Sequence, residues 1–131
     1  MKNCNKFYIG GSWVNPKNGY NFDLLHPANE EKIASIAMGS KLDVDQAVEA
    51  AKKAFVTWQY SSVNERVDLL ERILKVYKSR SEEFVKTMSY EMGTTISFSR
   101  KVQMPVGVGH LEAAIEAVKS HKFERPSPRG G

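Results

Sequence analysis

Residues 42–93 read LDVDQAVEAAKKAFVTWQYSSVNERVDLLERILKVYKSRSEEFVKTMSYEMG, and this stretch decides the fold. Apolar side chains recur in it at steps of three and four, the spacing that places side chains along one face of an α-helix. Asp43 with Gln46, and Ser62 with Glu65, have the form of capping boxes, in which side chains satisfy the free amides at a helix start. The stretch therefore predicts two amphipathic helices, one beginning at Asp43 and the other at Ser62.

Each predicted helix carries one apolar stripe. The first stripe comprises Val44, Val48, Ala51, Phe55 and Trp58, with the small residues Ala47, Ala50 and Ala54 beside it. The second comprises Leu70, Ile73, Leu74, Tyr77, Phe84, Val85 and Met88. Gly93 suits the left-handed position that commonly ends a helix. We therefore predict that the second helix continues unbroken from Ser62 to Gly93, a length that needs a large partner surface to cover the stripe.

Aromatic and β-branched residues recur before residue 42, and they favour a pleated surface. Phe7–Val14 holds Gly10-Gly11 near its centre, which predicts a turn or a bulge. Tyr20–Leu25 and Ile33–Ala37 are two further strand-like runs. We predict three short antiparallel strands in this segment.

The region Thr95–Ser120 resumes the helical period but is interrupted by Pro105 and two glycines. Because proline removes a backbone donor and clashes with the preceding turn, we expect two helical pieces or a kinked helix. The predicted fold is an α+β fragment with short N-terminal antiparallel strands followed by three helical segments. Its expected divisions are strands and turns at 1–41, a helical region packing on them at 42–122, and an irregular tail at 123–131.

Composition indicates a soluble globular chain with a cytoplasmic address. The 131 residues are 41% hydrophobic and 26% charged, and no window carries the roughly 18 apolar residues of a membrane span. The N-terminus lacks the apolar core of a signal peptide. Cys4 is the only cysteine, so no internal disulfide is available and the chain fits a reducing compartment. Cys4 lies among polar residues with no evident base nearby, which favours an exposed, inert thiol over a nucleophile.

The net charge of +4 is spread along the chain, which argues against a nucleic-acid-binding surface. A weaker alternative is a small nucleic-acid binder that uses the basic residues Lys119, Lys122, Arg125 and Arg129. We interpret them instead as a solvated tail and expect no nucleic-acid or membrane partner.

Few residues have a pattern that predicts chemistry. Gly107 and Gly109 suggest a phosphate-binding loop, but Glu112 stands where the third glycine of a dinucleotide motif belongs. Glu91 is better interpreted as a solvated or ion-paired carboxylate than as a general base. The histidines, His26, His110 and His121, lack metal-ligand spacing. From the residues themselves we predict no catalytic, cofactor-binding or metal-binding site.

Several short motifs also occur in a characteristic order. They are FYIGGSWV at 7–14, HPA at 26–28 with Ile33-Ala34, DVDQAV at 43–48 with Ala50-Ala51 and Ala54-Phe55, Glu65-Arg66 before Leu69-Leu70, and EMG at 91–93. Each is weak alone, but together they resemble the N-terminal segment of the NAD(P)-dependent aldehyde dehydrogenase superfamily. The stretch from Val102-Gln103-Met104-Pro105 to Gly109-His110-Leu111 is similar to the bacterial broad-substrate branch.

The resemblance implies an α/β parent enzyme that oxidises aldehydes to carboxylic acids with NAD or NADP. In that family a cysteine thiolate attacks the aldehyde, hydride passes to the nicotinamide, and a glutamate base assists hydrolysis of the thioester. The cysteine, the glutamate and the cofactor-binding strands of the family all lie beyond the region that ends here at Gly131. We therefore expect an inactive chain that binds no cofactor alone. Some relatives also hold a monovalent cation, partly through backbone carbonyls at positions matching Leu24 and Leu25. The acidic residue that completes their site is absent here, where Pro105 stands close to its place.

Two readings of the chain's role remain open at this point. The first is a dehydrogenase fragment without activity of its own. The second is a non-catalytic module that self-associates or docks onto the missing remainder of the enzyme. It depends on uncovered helix faces around Phe55, Trp58, Tyr77 and Phe84.

Overall fold

A computed structural model describes residues 4–127, which divide into two compact units. The first unit contains residues 4–60 and 86–95, and the second contains residues 61–85 and 96–127. The predicted order of antiparallel strands followed by helices is confirmed. The predicted divisions at residues 41 and 122 stay a prediction.

The first unit begins with a tight hairpin. Strand β1 (Phe7–Ile9) pairs antiparallel with strand β2 (Ser12–Val14), and Gly10 and Gly11 connect them with φ angles of 60° and 83°. Positive φ at both central residues is the geometry of the commonest two-residue hairpin turn, and glycine adopts it without steric cost. The Gly10-Gly11 pair is therefore a turn rather than a bulge, and the predicted first strand is two strands.

A second hairpin follows, formed by β3 (Tyr20–Leu25) and β4 (Lys32–Met38). The strands pair antiparallel from Tyr20 opposite Met38, and the register shifts between Leu24 and Leu25. The described residues thus contain four strands in two separate two-stranded sheets, where three strands were expected.

Helix α1 (Lys41–Trp58) begins earlier than predicted. Its N-cap is Ser40, in an extended conformation, whereas the sequence predicted Asp43. Asp43 instead occupies the third helical position and accepts hydrogen bonds from the Ser40 amide and hydroxyl, both at 2.8 Å. The helix start was predicted three residues too late because a carboxylate can serve a capping box from its last position as well as from its first.

The predicted long helix is wrong, because two helices occupy its place. Helix α2 (Val63–Ser79) begins at the predicted cap, where the Glu65 amide donates to Ser62 Oγ at 3.2 Å and the Ser62 amide donates to Glu65 at 2.7 Å. Helix α3 (Ser81–Met92) follows after Arg80. The Arg80 amide still donates into α2, while the Arg80 carbonyl accepts from the amides of the first turn of α3. Serine on both sides of Arg80 favours this break, since its hydroxyl competes with helical hydrogen bonds.

Gly93 ends α3 as predicted, with a φ of 68° and its amide donating to the Ser89 carbonyl at 3.1 Å. The missing side chain of Gly93 also permits close packing against Pro27. A Cβ at Gly93 would lie 3.1 Å from the Cβ of Pro27, so the two backbones approach closely within the first unit.

The last helical region is continuous but changes its winding. Helix α4 (Ile96–Phe98) passes through a π-helical turn at Ser99–Gln103 into helix α5 (Met104–Ser120). Pro105 lies in the first turn of α5, directly after the π-helical turn, and it lacks the amide proton that a continuous helix would use there. The expected interruption is therefore a local widening of the helix rather than a break.

The second unit is held together by α2 and α5. Tyr77 of α2 packs over Gly107 of α5, where there is no side chain to displace its ring. Two ion pairs join the same helices, from Lys78 to Glu112 at 2.7 Å and from Lys119 to Glu71 at 2.9 Å. The buried side chains of this unit are Val67, Val85, Ser99, Met104 and Ile115.

Candidate interaction surface

A run of exposed apolar side chains in the first unit lies along α1. Every residue from 51 to 60 is exposed, and Phe55 and Trp58 retain 58% and 45% of their accessible surface. Val44 and Val48 on the preceding turns are also exposed. The uncovered face predicted around Phe55 and Trp58 is therefore confirmed.

The β1–β2 hairpin determines which side of α1 remains open. The alanine side of the helix faces the hairpin, and a Cβ added at Gly10 would lie 3.8 Å from the Cβ of Ala50. Tyr8 and Trp13 project from the hairpin as a tilted ring pair with centroids 5.3 Å apart. The alanine side thus lies toward the hairpin, and the larger side chains of Val44, Val48 and Phe55 keep 59%, 47% and 58% of their accessible surface.

Asp43 anchors the start of α1 to the preceding turn. Asp43 is only 4% exposed, and its carboxylate accepts from the Lys17 amide at 2.7 Å as well as from Ser40. The hydrogen bonds from the Ser40 amide, and then those from Lys17, hold the pKa of the Asp43 carboxyl below its usual value. These contacts fix where the exposed face of α1 begins.

The second unit carries an apolar groove along α2 and the start of α3. Tyr77 and Phe84 form its aromatic wall, with ring centroids 4.6 Å apart. Arg72 and Arg80 line its edges together with Leu69, Ile73 and Val76. Arg80 pairs with Glu83 at 2.8 Å, which raises the pKa of Arg80 and lowers that of Glu83. No sequence pattern had assigned a role to Arg72 or Arg80.

The predicted buried stripe of α2 and α3 is only partly buried. Val85 is 1% exposed, and Tyr77 is half-buried. Ile73 and Phe84 keep 43% and 36% of their accessible surface. The uncovered face expected around Phe84 is confirmed, while Tyr77 is partly covered by its neighbours.

The residues considered for chemistry lie on separate elements. Cys4 is half-buried rather than fully exposed, and its carbonyl accepts from the Ala37 amide at 2.9 Å. His26 Nδ1 accepts from the Ala28 amide at 3.1 Å, and its ring meets Tyr90 edge to face. Between residues 4 and 127, no three His, Cys, Asp or Glu side chains are grouped to hold a metal ion.

The other residues that the sequence suggested for chemistry lie in or next to helices. His110 lies on α5, and the His121 ring contacts Phe123 just after that helix. Gly107 and Gly109 lie inside α5, which excludes the phosphate-loop interpretation. Glu91 lies near the end of α3 and is half-buried.

The basic residues near the C-terminus do not form a common surface that the structure describes. Lys119 pairs with Glu71 and Glu116, which raises the pKa of Lys119. Lys122 and Arg125 are exposed, and Arg129 lies outside the described residues.

Comparison with known proteins identifies the family. The family model described as the aldehyde dehydrogenase family matches residues 13–129. The chain belongs to the aldehyde dehydrogenase family. A Staphylococcus saprophyticus relative of this dehydrogenase segment is 39% identical over 124 residues, which cover 95% of this chain and 26% of the relative. The chain thus spans about a quarter of the length of the curated relatives that it matches and corresponds to their N-terminal segment.

Solved aldehyde dehydrogenases share the fold of this segment. The Bartonella henselae enzyme matches all of this chain and 28% of its own, with a TM-score of 0.93 and 39% identity. Aldehyde dehydrogenase C of Pseudomonas syringae, solved with NAD+ and octanal, matches 95% of this chain and 26% of its own, with a TM-score of 0.91 and 35% identity. Within residues 4–127, none of the dehydrogenase helices has the length and apolar character needed to cross a membrane.

Proposed function

We propose that this chain is a non-catalytic structural segment of an NAD(P)-dependent aldehyde dehydrogenase and is inactive alone. The observation that carries the proposal is that each unit has its own exposed apolar surface. Phe55 and Trp58 of α1 are 58% and 45% exposed in the first unit, and Ile73 of α2 is 43% exposed in the second. Contiguous apolar side chains in solvent mark surfaces that other polypeptide covers. The segment supplies packing surface and leaves the reaction to residues elsewhere in the enzyme.

The chemistry of the parent reaction also supports a segment that is inactive alone. Oxidation of an aldehyde through a thioester needs an activated thiolate and a base. Cys4 is half-buried, and its backbone carbonyl accepts from the Ala37 amide. In the part of the chain that the structure describes, the Cys4 thiol forms no hydrogen bond or ion pair that would activate it. We therefore propose that the catalytic, cofactor-binding and metal-binding residues all lie outside this chain.

An alternative is a non-catalytic module that self-associates or docks onto a complete subunit. The open face of α1 favours this possibility, because Val48 and Phe55 keep 47% and 58% of their accessible surface. In either form we propose a cytoplasmic protein without a nucleic-acid partner. The preference for NAD or NADP and the choice of aldehyde are properties of the parent enzyme. Membership of the bacterial broad-substrate branch stays a prediction.

The proposal is tested by complementation. The purified chain is mixed with the part of the Staphylococcus saprophyticus relative that follows its matched segment, and NAD(P)H formation from aldehydes is followed by absorbance. We expect no activity from either part alone and measurable activity from the mixture. Activity of this chain alone would overturn the proposal.

A matched pair of variants tests the role of the groove. Ile73→Asp places a charge on the exposed apolar surface of α2, and Asn64→Asp places the same charge on an exposed polar position of the same helix. We expect Ile73→Asp to reduce the activity of the mixture and Asn64→Asp to leave it unchanged. Equal activity of the two variants would remove the groove from the proposed contact.

A further inference from the structure

We infer that the π-helical turn at Ser99–Gln103 is a register device, which holds one residue more than an α-helical turn and thereby seats α5 against α2. The turn lies within the second unit, between α4 and α5. Its task is separate from that of the exposed apolar surfaces, because it decides which side of the last helix is buried.

The burial of residues around the turn shows the extra residue. Ser99 is fully buried and Met104 is 5% exposed, whereas residues 100–102 between them are exposed. In a regular α-helix the neighbours of Met104 on its own side would be Arg100 and Lys101, four and three positions back. The buried neighbour is instead Ser99, five positions back. The spacing is therefore that of an α-helix into which one residue has been inserted.

The angles around the helix axis lead to the same count. Five α-helical steps of about 100° would set Ser99 and Met104 about 140° apart, whereas four steps would set them about 40° apart. The hydrogen bond that closes the turn runs from the Met104 amide to the Ser99 carbonyl, five residues back. This wider loop is the π-helical form, in which one more residue is contained between the bonded groups. The two side chains can thus lie on one buried side.

The register that the turn establishes continues along α5. Eleven residues separate Met104 from Ile115, which is 4% exposed, and about three α-helical turns place the two side chains about 20° apart. Gly107 lies between them, where Tyr77 of α2 packs against it. Loss of the extra residue without a compensating change would rotate this whole side of α5 relative to Ser99.

Pro105 favours the wider turn over a regular one. Its ring would clash with the carbonyl four residues back in an α-helix, which is that of Lys101, and it has no amide proton to donate to that carbonyl. A π-helical turn directly before the proline avoids forming this α-helical contact. The position of Pro105 therefore explains why the extra residue is held at Ser99–Gln103 and not farther along the helix.

Side chains fix the turn from within and from outside. The Ser99 hydroxyl donates to Gln103 Oε1 at 2.9 Å, across the turn itself. The Arg100 guanidinium donates to both carboxylate oxygens of Glu82, at 2.9 and 2.8 Å, which ties the turn to the start of α3. A two-pronged pair of this kind specifies direction as well as distance.

The test is a pair of single-residue deletions in the full chain, both made in a Pro105→Ala background and measured by urea unfolding with circular dichroism. Deletion of Lys101 removes the extra residue, so the segment should become a regular α-helix and the midpoint should stay close to that of Pro105→Ala. Deletion of Ala113, which is equally exposed, is the matched control. It rotates Ile115 by about 100° and should lower the midpoint clearly. Equal losses from the two deletions would overturn the inference.

Two further variants test the role of the proline and the register. Deletion of Lys101 with Pro105 retained should lower the midpoint more than the same deletion beside Pro105→Ala, because the proline then lies inside a regular helix. In the background that carries both the Lys101 deletion and Pro105→Ala, Tyr77 should still cover Gly107. Gly107→Ala should therefore remain less stable there than Gly109→Ala, and the reverse order would show that the register was lost.

The unaltered chain provides a readout that requires no variant to fold. Coupling across hydrogen bonds, measured by nuclear magnetic resonance, should connect the Met104 amide nitrogen with the Ser99 carbonyl carbon. A coupling to the Arg100 carbonyl carbon in its place would identify a regular α-helical turn and overturn the inference.

Discussion

The contact between α2 and α5 gives the sharpest stability prediction, because two glycines of one helix have opposite surroundings. A Cβ added at Gly109 meets no heavy atom within 4 Å outside its chain neighbours and its own helix backbone. A Cβ added at Gly107 lies 2.8 Å from Tyr77 Cζ and 3.2 Å from Tyr77 Cε1, with the hydroxyl closer still. The same substitution to alanine therefore tests helix propensity at one position and packing at the other.

The two substitutions are expected to have different effects on the free energy of unfolding. Alanine is favoured over glycine inside a helix by about 0.8–1 kcal/mol, so Gly109→Ala should stabilise the chain by about that amount. At Gly107 the same gain is opposed by an overpacking cost of about 1–3 kcal/mol, because the Tyr77 ring must leave its place against Phe84. Gly107→Ala should therefore be neutral or destabilising by up to about 2 kcal/mol.

The assay is urea unfolding of the full chain followed by circular dichroism, with the midpoint and the slope fitted together. Tyr77→Phe in the Gly107→Ala background removes the hydroxyl, which is the atom nearest to the added methyl group, and should recover part of the loss. If Gly107→Ala stabilised the chain as much as Gly109→Ala, Tyr77 would not pack over Gly107 as described.

Three further changes test the local structure. Ser62→Ala removes the acceptor of the Glu65 amide and should cost about 1 kcal/mol in urea unfolding, whereas an unchanged midpoint would mean that the cap contributes nothing. Gly93→Ala should cost about 1–2 kcal/mol because an alanine at a φ of 68° is strained, and its Cβ would also lie 3.1 Å from Pro27; a thermal midpoint at or above that of the parent chain would contradict this. Asp43 binds its proton less readily when folded, so its contribution to stability is present above the ordinary carboxyl pKa and is lost as the pH falls through its lowered folded pKa. Asp43→Asn should therefore flatten the acid side of the stability profile measured by urea midpoints, and an unchanged acid slope would show that Asp43 does not contribute to it.

Local patterns in the sequence predicted those parts of the fold that local forces decide. The capping box at Ser62 and Glu65 was found because both partners lie within one helical turn. Gly93 was found because few other residues adopt a positive φ at low cost. The start of α1 was missed by three residues, since Asp43 fits a capping box both as its first and as its last member.

The features that depend on tertiary packing were less visible. Periodicity continues across Arg80, so the apolar stripe contains no sign that α2 ends there. Periodicity also states which side chains share a face without stating what covers that face. For that reason Val85 and Phe84, neighbours in one predicted stripe, differ from 1% to 36% in exposure. No catalytic residue was predicted, and the surfaces described here are helix faces rather than a reaction centre.

Whether this segment carries the reaction is tested most directly by NAD(P)H formation from a panel of aldehydes, with the purified chain alone and with the reconstituted mixture. We expect no cofactor reduction above background for the chain alone and recovery of activity in the mixture. Steady cofactor reduction by the chain alone, abolished by Cys4→Ala, would contradict it and place the nucleophile in this segment.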